Sequence, residues 1–464
     1  LIKYCFYSMC FISLLHLNQN TFAGGFSLYT EGSVSELSVF AAGSAAEAPD
    51  ASIGWYNPAG LVLMPDDSLV VSGVGVLPNT TLIGTSTYET TGTPPYIESL
   101  QSFKTLNGGR NAVVPALHAV HPLGERAALG LSIVSPFGLS TDWGNTSPLR
   151  YAGTLTELLT VLVSPEIGGY LTDNLTIGAG LDLEWARVTF NAIAGSPAAL
   201  QYLQSIGSSL TATALDSRSE NVGSSFGVGF HAGLLAFFND ERTRIGLNFQ
   251  SAIEHRFEGT STLTGPLADV NLEDLNATAV YQLNTLSSNN IRLPNITTLS
   301  VYHDVTDQWT VLGSAVFTGW SVFKTTQLDS VAGFNAESGA QEPITVLAEQ
   351  HYRNAWRFAL GALYNFNERW TWRVGGGFDQ TPTVSAERDA RLPDIDRWAT
   401  AIGLHYQPRP SIGFDIAYVY LWGAGHVPVH KTQVFNETSS VTVDAWGQNH
   451  ANLAGFQVVW KPRD

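Results

Sequence analysis

Ala355-Trp356-Arg357-Phe358-Ala359-Leu360-Gly361-Ala362-Leu363-Tyr364-Asn365 alternates in character along its length. Successive side chains of a strand point to opposite sides, so Trp356, Phe358, Leu360, Ala362 and Tyr364 share one face and Arg357, Ala359, Gly361 and Asn365 the other. The next segment sets Trp370, Trp372, Val374 and Phe378 against Arg373, Gly375, Gly377 and Asp379. Two more repeat the pattern: Trp398, Ile402, Leu404 and Tyr406 against Ala399, Ala401, Gly403 and His405, and Ile245, Leu247, Phe249 and Ile253 against Arg244, Gly246, Asn248 and Gln250. A soluble sandwich would carry Lys, Glu and Thr on its polar face. Here that face holds Gly, Ala and isolated arginines, and the apolar face ends in Trp or Tyr at its margins. Aromatic girdles around a lipid-facing band, with a polar or filled interior, mark a transmembrane β-barrel.

The connections agree. Asn365–Arg369 and Gln407–Pro410 form tight turns, whereas 191–222, 259–290 and 325–350 are long and rich in Ser, Asn, Gly and acidic residues. Short turns alternating with long loops suit an antiparallel all-β barrel, and about fourteen strands of roughly 10–14 residues account for the length. Charged residues make up 14% of the 464 residues, against about 25% in ordinary soluble domains. A formal net charge of −17 argues against nucleic-acid binding, which depends on neutralising phosphates. Beyond the amino end there is no run of about 18 apolar residues, so α-helical spans are not expected there.

Residues 1–23 have the form of a secretory signal peptide: Lys3, an apolar run from Tyr4 to Leu17, and Thr21-Phe22-Ala23 as a small-x-small cleavage site. Both cysteines, Cys5 and Cys10, lie in it, so the mature chain is expected to hold neither a disulfide framework nor a thiolate metal site. Residues 24–65 break the alternation. Ala41-Ala42-Gly43-Ser44-Ala45-Ala46 leads through Pro49-Asp50 to Trp55-Tyr56-Asn57-Pro58-Ala59-Gly60. Small residues permit close contact with a wall, and the segment is expected to be a hatch inside the barrel formed by 66–464; a periplasmic linker is the alternative.

At this point the residues resemble the FadL/TodX family of outer-membrane transporters for long-chain fatty acids and aromatic hydrocarbons. Gly24-Gly25-Phe26, the Ala-rich stretch, Asn57-Pro58-Ala59, Ser135-Pro136-Phe137-Gly138-Leu139-Ser140-Thr141, Ala355-Trp356-Arg357-Phe358-Ala359-Leu360-Gly361, Trp370-Thr371-Trp372-Arg373 and Pro393-Asp394-Ile395-Asp396-Arg397 are similar to its elements and stand in its order. The resemblance implies a 14-stranded barrel with an N-terminal hatch in a Gram-negative outer membrane. It implies passive uptake of a fatty acid or other hydrophobic small molecule, with outer-membrane lipid and the barrel-assembly machinery as partners and no cofactor. Substrate would be caught among the outer loops, pass to a lumenal site near Phe26, and leave sideways where Pro136, Phe137 and Gly138 break a strand; proline lacks an N–H and glycine marks bulges.

Leu200, Tyr202, Leu203 and Ile206 have helix-like spacing and are candidates for the capture surface; a helix covering the mouth would have the same spacing. Fatty-acid carriers of the family place cations near the bound carboxylate, but the matching positions here are Ala192 and Ala348. Arg353, Arg357, Arg373 and Arg397 stand as candidate lumenal cations, and Arg397 has the alternative of pairing with Asp394 or Asp396. The chain ends with Phe456, Val458 and Trp460 in an alternating strand trailed by Lys461-Pro462-Arg463-Asp464, a departure from the usual terminal aromatic.

Enzyme readings are weaker. Gly223-Ser224-Ser225-Phe226-Gly227 fits the hydrolase G-x-S-x-G pattern, but an alternating stretch follows it where a helix is required. His118 and His121 lack a suitably spaced third metal ligand. An importer of neutral aromatic hydrocarbons is the rival within transport. A surface adhesin or a barrel enzyme is the rival from other classes.

Overall fold

A computed structural model describes residues 25–272 and 275–462. The signal-peptide reading and both cysteines lie outside the described residues.

Fourteen antiparallel strands close into a barrel. They are β1 (Ser68–Glu89), β2 (Ala112–Pro122), β3 (Ala127–Val134, resuming as Gly138–Asp142), β4 (Leu155–Thr172), β5 (Leu175–Phe190), β6 (Ser217–Phe238) and β7 (Thr243–Gln250). The second half comprises β8 (Ile296–Asp304), β9 (Trp309–Thr318), β10 (Ala355–Asn367), β11 (Trp370–Asp379), β12 (Arg397–Arg409), β13 (Ile412–Gly423) and β14 (Ser439–Trp460). Each pairs with the next, and β14 returns to β1 from Leu69↔Trp460 to Glu89↔Ser440. A closed ladder leaves no strand edge, the condition for spanning a bilayer with strands. Among the described residues no helix is long and apolar enough to cross a membrane.

The alternation sorts side chains as the sequence requires. Trp356, Phe358 and Leu360 are 43%, 51% and 75% exposed on the outer face, while Arg357 and Ala359 between them are buried. Trp372, Val374, Trp398, Ile402, Ile245, Leu247 and Phe249 also face outward. Ile253 does not. β7 ends at Gln250, and Ile253 turns into the short strand Ile253–His255 and is buried.

The strands outgrow the expected 10–14 residues. β1, β6 and β14 run for 22 residues each, about 70 Å at roughly 3.3 Å per residue, against an apolar band about 25 Å tall. Their outer halves project beyond the membrane, and the long connections add strands to them. Ile97–Asn107 pairs with β1, Glu258–Thr264 with β6, and Val427–Asn436 with β14. The expected loops 259–290 and 325–350 are thus largely hairpins, Glu258–Thr264 with Val280–Ser288 and Thr325–Asn335 with Ala340–Glu349. Period-two alternation is driven by a lipid-facing side, so strands with water on both sides carry little of it.

Residues 25–64 fold inside the barrel as four short helical turns: Tyr29–Gly32, Val34–Leu37, Ile53–Tyr56 and Pro58–Leu63. Their side chains bond to walls all around. Tyr29 Oη lies 2.8 Å from Thr298 Oγ1 on β8, Ser300 Oγ accepts from Ala45 N, and Gln457 on β14 bonds both Asp50 and Val34 N. Arg373 pairs with Glu47 at 3.0 Å. Asn57 caps the last turn through Ala59 N and donates Nδ2 to Ala45 O at 2.7 Å and to Leu234 O at 2.9 Å; Thr176 Oγ1 donates to Ala59 O.

Contact this close needs a wall without side chains. A Cβ on Gly233 would sit 1.9 Å from Asn57 Oδ1, and one on Gly178 would sit 2.3 Å from the Pro58 carbonyl carbon. Gly233→Val and Gly178→Val are expected to cost about 1–3 kcal/mol each by overpacking. The folded, heat-modifiable gel band should then be lost at a lower temperature than in the wild type, and protease should gain access to residues 25–64. An unchanged melting profile would contradict this packing.

Candidate functional site

The third strand is where the barrel departs from a continuous ladder. β2 and β3 pair from Pro122↔Ala128 to Leu117↔Ile133, and their edges meet again only at the bridge Gly109↔Thr141. No strand pairing joins residues 110–116 to 134–140 among the described residues. On its other side β3 pairs with β4 at Val134↔Leu162 and again at Gly138↔Leu159, so one extra residue is accommodated on β3. That is a bulge at Ser135-Pro136-Phe137, where proline cannot donate to a ladder.

The hatch covers the break. Leu28 N donates to Pro136 O at 2.8 Å and Gly138 N donates to Phe26 O at 2.9 Å, a two-bond patch centred on the bridge Ser27↔Phe137. Thr160 Oγ1 on β4 accepts from Phe137 N and donates to Phe137 O. The expected kink residues and Phe26 therefore stand together.

Phe26 packs edge-on against Trp320 at 4.5 Å and Phe323 at 5.4 Å between ring centroids, with Phe137 at 6.1 Å. Together with Leu139, Leu158, Val188, Phe190, Phe257, Ile291, Leu293, Leu328 and Tyr352 it lines a cavity with about 900 Å³ of empty volume, counting its open mouth. The wall is mostly apolar, with Thr156, Glu157 and Thr326 also among its lining, and the β11–β12 connection brings Thr383, Glu387, Arg388, Asp389 and Arg391 to a polar pole that includes Gln350. Such a cavity takes up a flexible apolar molecule and offers charge at one end.

The other expected site residues fall elsewhere. Arg357 and Arg397 both reach Asp379 Oδ2, at 3.2 and 2.8 Å, and Arg397 also lies 3.8 Å from Asp394. They share a buried carboxylate beside the hatch, outside the Phe26 cavity; Arg357 Nε and Nη1 keep no hydrogen-bond partner, and Arg357 borders a small separate pocket. Leu200 belongs to the helix Pro197–Ser205 in the β5–β6 connection. It is fully buried against Leu215, Leu263 and Leu267, with Leu203 packed on the same cluster, so these two are not open for capture. Tyr202 and Ile206, on the opposite side, are 65% and 62% exposed. None of the four lines the cavity.

Ser225, in the hydrolase-like pattern, lies within β6, whose residues 222–236 pair with β5, and no strand-to-helix elbow forms. His118 is buried between Ser132 Oγ and Gly32 O, while His121 pairs with Asp67 at the surface. Sequence reasoning missed Trp320, Phe323, Tyr352, Phe257, Arg388 and Arg391. All stand in connections, where alternation carries no signal; the aromatics of Trp320-Ser321-Val322-Phe323 between two strands were the one available hint.

Residues 14–461 match the family described as outer membrane protein transport protein (OMPP1/FadL/TodX). The chain belongs to that family. It is similar to the long-chain fatty acid transport protein of Escherichia coli K12, 28% identical over 432 residues that cover 89% of this chain and 91% of the relative. It is also similar to outer membrane protein P1 of Haemophilus influenzae, 29% identical over 467 residues covering 94% and 95%. Its fold is that of a Pseudomonas aeruginosa FadL homologue (TM-score 0.79, 21% identity, 94% of this chain and 99% of the other). It is also that of the Ralstonia pickettii toluene transporter TbuX (TM-score 0.61, 19% identity, 94% and 99%). An outer-membrane location follows from the family and the barrel.

Above the cavity, Glu98 on the Ile97–Asn107 strand is 3% exposed, and neither carboxylate oxygen has a hydrogen-bond partner. Burial, reinforced by the Asp216 charge and opposed by Arg150, pushes its pKa up from 4.5 to about 8. The packed mouth therefore holds a proton that a released hairpin would lose. Its stability should be full below about pH 4.5, decline as pH rises toward about 8, and then level off. Hydrogen exchange of residues 97–107 is expected to accelerate between pH 5 and 8 beyond the intrinsic rate, and Glu98→Gln should remove that excess.

Proposed function

We propose that this protein moves hydrophobic molecules, long-chain fatty acids foremost, across the outer membrane by passive diffusion. Substrate enters through the outer loops, where Tyr202 and Ile206 stay exposed, and occupies the apolar cavity beside Phe26. It leaves sideways between β2 and β3. One observation carries this reading: the cavity's Phe26 wall is the same three-residue segment that fills the gap in the ladder at Pro136–Gly138. The hatch blocks a straight path through the lumen, whereas a lateral path opens where two backbone hydrogen bonds tie the hatch to the broken strand. Gly25 N, held by Asp394 Oδ2 at 2.9 Å, is the hinge end of that segment.

The fatty-acid transport proteins among its relatives support the substrate class, and the outward aromatic belt supports contact with membrane lipid. Phe456 and Trp460 face outward on the closing strand, which suits the strand-end recognition that barrel-assembly machinery performs. Import of neutral aromatic hydrocarbons is the second reading, favoured by alanine at 192 and 348, since a neutral molecule needs no cation.

Expression in a Gram-negative strain lacking its own fatty-acid channel tests the proposal through radiolabelled oleate uptake. The wild type should restore uptake, and Pro136→Ala/Gly138→Ala should abolish it at unchanged surface levels. Uptake that survives the double substitution would remove the lateral exit. A correctly inserted wild type that takes up toluene but not oleate would decide for the second reading.

A further inference from the structure

The polar pole of the cavity contains an electrostatic imbalance. Arg388 is 5% exposed, and its guanidinium bonds only neutral oxygens: Thr383 Oγ1 at 3.2 Å, Pro428 O at 3.1 Å and Ser385 Oγ at 3.5 Å. Arg391 keeps Nε buried without a hydrogen-bond partner, packed where Gly153 leaves room. Among the described residues neither arginine has a carboxylate within ion-pair distance. The acids around them are already engaged. Lys431 holds Glu387, the amides of Arg391 and Leu392 bind Asp389 Oδ1, and Arg397 and Thr381 hold Asp394. Glu157, which also lines the cavity, lies 4.0 Å from Arg110.

A buried guanidinium without a counter-charge is costly, and proteins keep such groups paired unless something else completes them. Burial pushes both guanidinium pKa values downward, the same cost seen from the proton's side. We propose that Arg388 and Arg391 form the anion clamp of this transporter, gripping the carboxylate of a fatty acid whose chain lies along Phe26, Phe257 and Leu293. The inference rests on the transport reading above and names the residues that select its substrate. It places the cation on the β11–β12 connection rather than at position 348, where Ala348 lines the same cavity. That connection is tied to the outer half of the broken strand, since Thr141 Oγ1 donates to Arg391 O at 2.7 Å and Trp143 Nε1 donates to Ala390 O at 2.9 Å.

Arg357 and Arg397 are poorer candidates because each already has an acid within ion-pair distance, Asp379 for both and Asp394 as well for Arg397. A carboxylate and a monoalkyl phosphate share the chemistry that such a clamp would recognise. The clamp commits to the carboxylate, because it has room for two guanidinium groups and no third cation beyond Lys431, which Glu387 occupies.

The test is equilibrium binding to the purified full-length protein in lipid nanodiscs, with oleate, oleyl alcohol and hexadecyl phosphate as probes. The wild type should bind oleate at least about tenfold more tightly than the alcohol, the scale of a charge-assisted hydrogen bond. Arg388→Gln and Arg391→Gln should each erase most of that preference while leaving alcohol binding within about twofold, which also shows that the cavity is still folded. Arg388→Lys should recover part of it, and Arg187→Gln, on the outer face, should change nothing. Equal binding of oleate by wild type and both glutamine variants would overturn the clamp with transport intact. Stronger clamp-dependent binding of the phosphate than of oleate would overturn the carboxylate assignment. Failure of the wild type to bind any of the three would instead overturn the transport reading, and the clamp with it.

Discussion

Inside a bilayer every backbone N–H and C=O must find its partner within the protein, because no water is there to accept it. This barrel follows the rule through a ladder that pairs each strand with the next, and departs from it between β2 and β3. The broken stretch is tolerable because Phe26 and Leu28 supply a carbonyl and an amide to Gly138 and Pro136. That pair of hydrogen bonds holds three things in one place: the amino-terminal segment, the gap in the wall, and the aromatic face of the cavity. A segment attached by two bonds can also leave, which a strand in full register cannot do without unzipping its length.

The hatch has to be anchored firmly elsewhere for so light an attachment to be selective. Its anchors lie deeper, where Asn57 crosses from Ala45 to β6 and Asp50 bonds Gln457. Hydrogen bonds within the hatch, such as Ser35 to Asp50, are joined by others that cross to the wall, so the two are specified together. Wall glycines such as Gly178 and Gly233 bring backbone against backbone, where side chains would have held them apart. Around Phe26 the hatch meets the break through aromatic edges and the two backbone hydrogen bonds to Pro136 and Gly138.

Charge follows the same division. Beside the hatch, arginines and acids are paired, as with Arg357, Arg397 and Asp379, and they hold the fold. At the cavity's pole Arg388 and Arg391 have, among the described residues, no carboxylate within ion-pair distance, and there a ligand's charge can be received. The absence of cations at Ala192 and Ala348 bears on where a head group is held more than on whether one is.

Alternating segments such as Trp356–Tyr364 determined the barrel, its outward face and the rough strand number by themselves, because lipid on one side and protein on the other impose a period of two. The small-residue run at 41–46 and Asn57-Pro58-Ala59 likewise announced a segment that packs closely against a wall, and Pro136 with Gly138 announced a break. The tertiary structure alone decided the rest. It showed Leu200 buried and Tyr202 exposed on one helix, sent Ile253 inward where alternation had placed it outward, and extended β1, β6 and β14 far past the membrane. It also separated arginines that look alike in sequence, since whether a cation is spent depends on which carboxylate folds against it. Asp379 reaches Arg357 and Arg397 across neighbouring strands, while among the described residues no acid comes within ion-pair distance of Arg388. Those are long-range pairings, which no local pattern records.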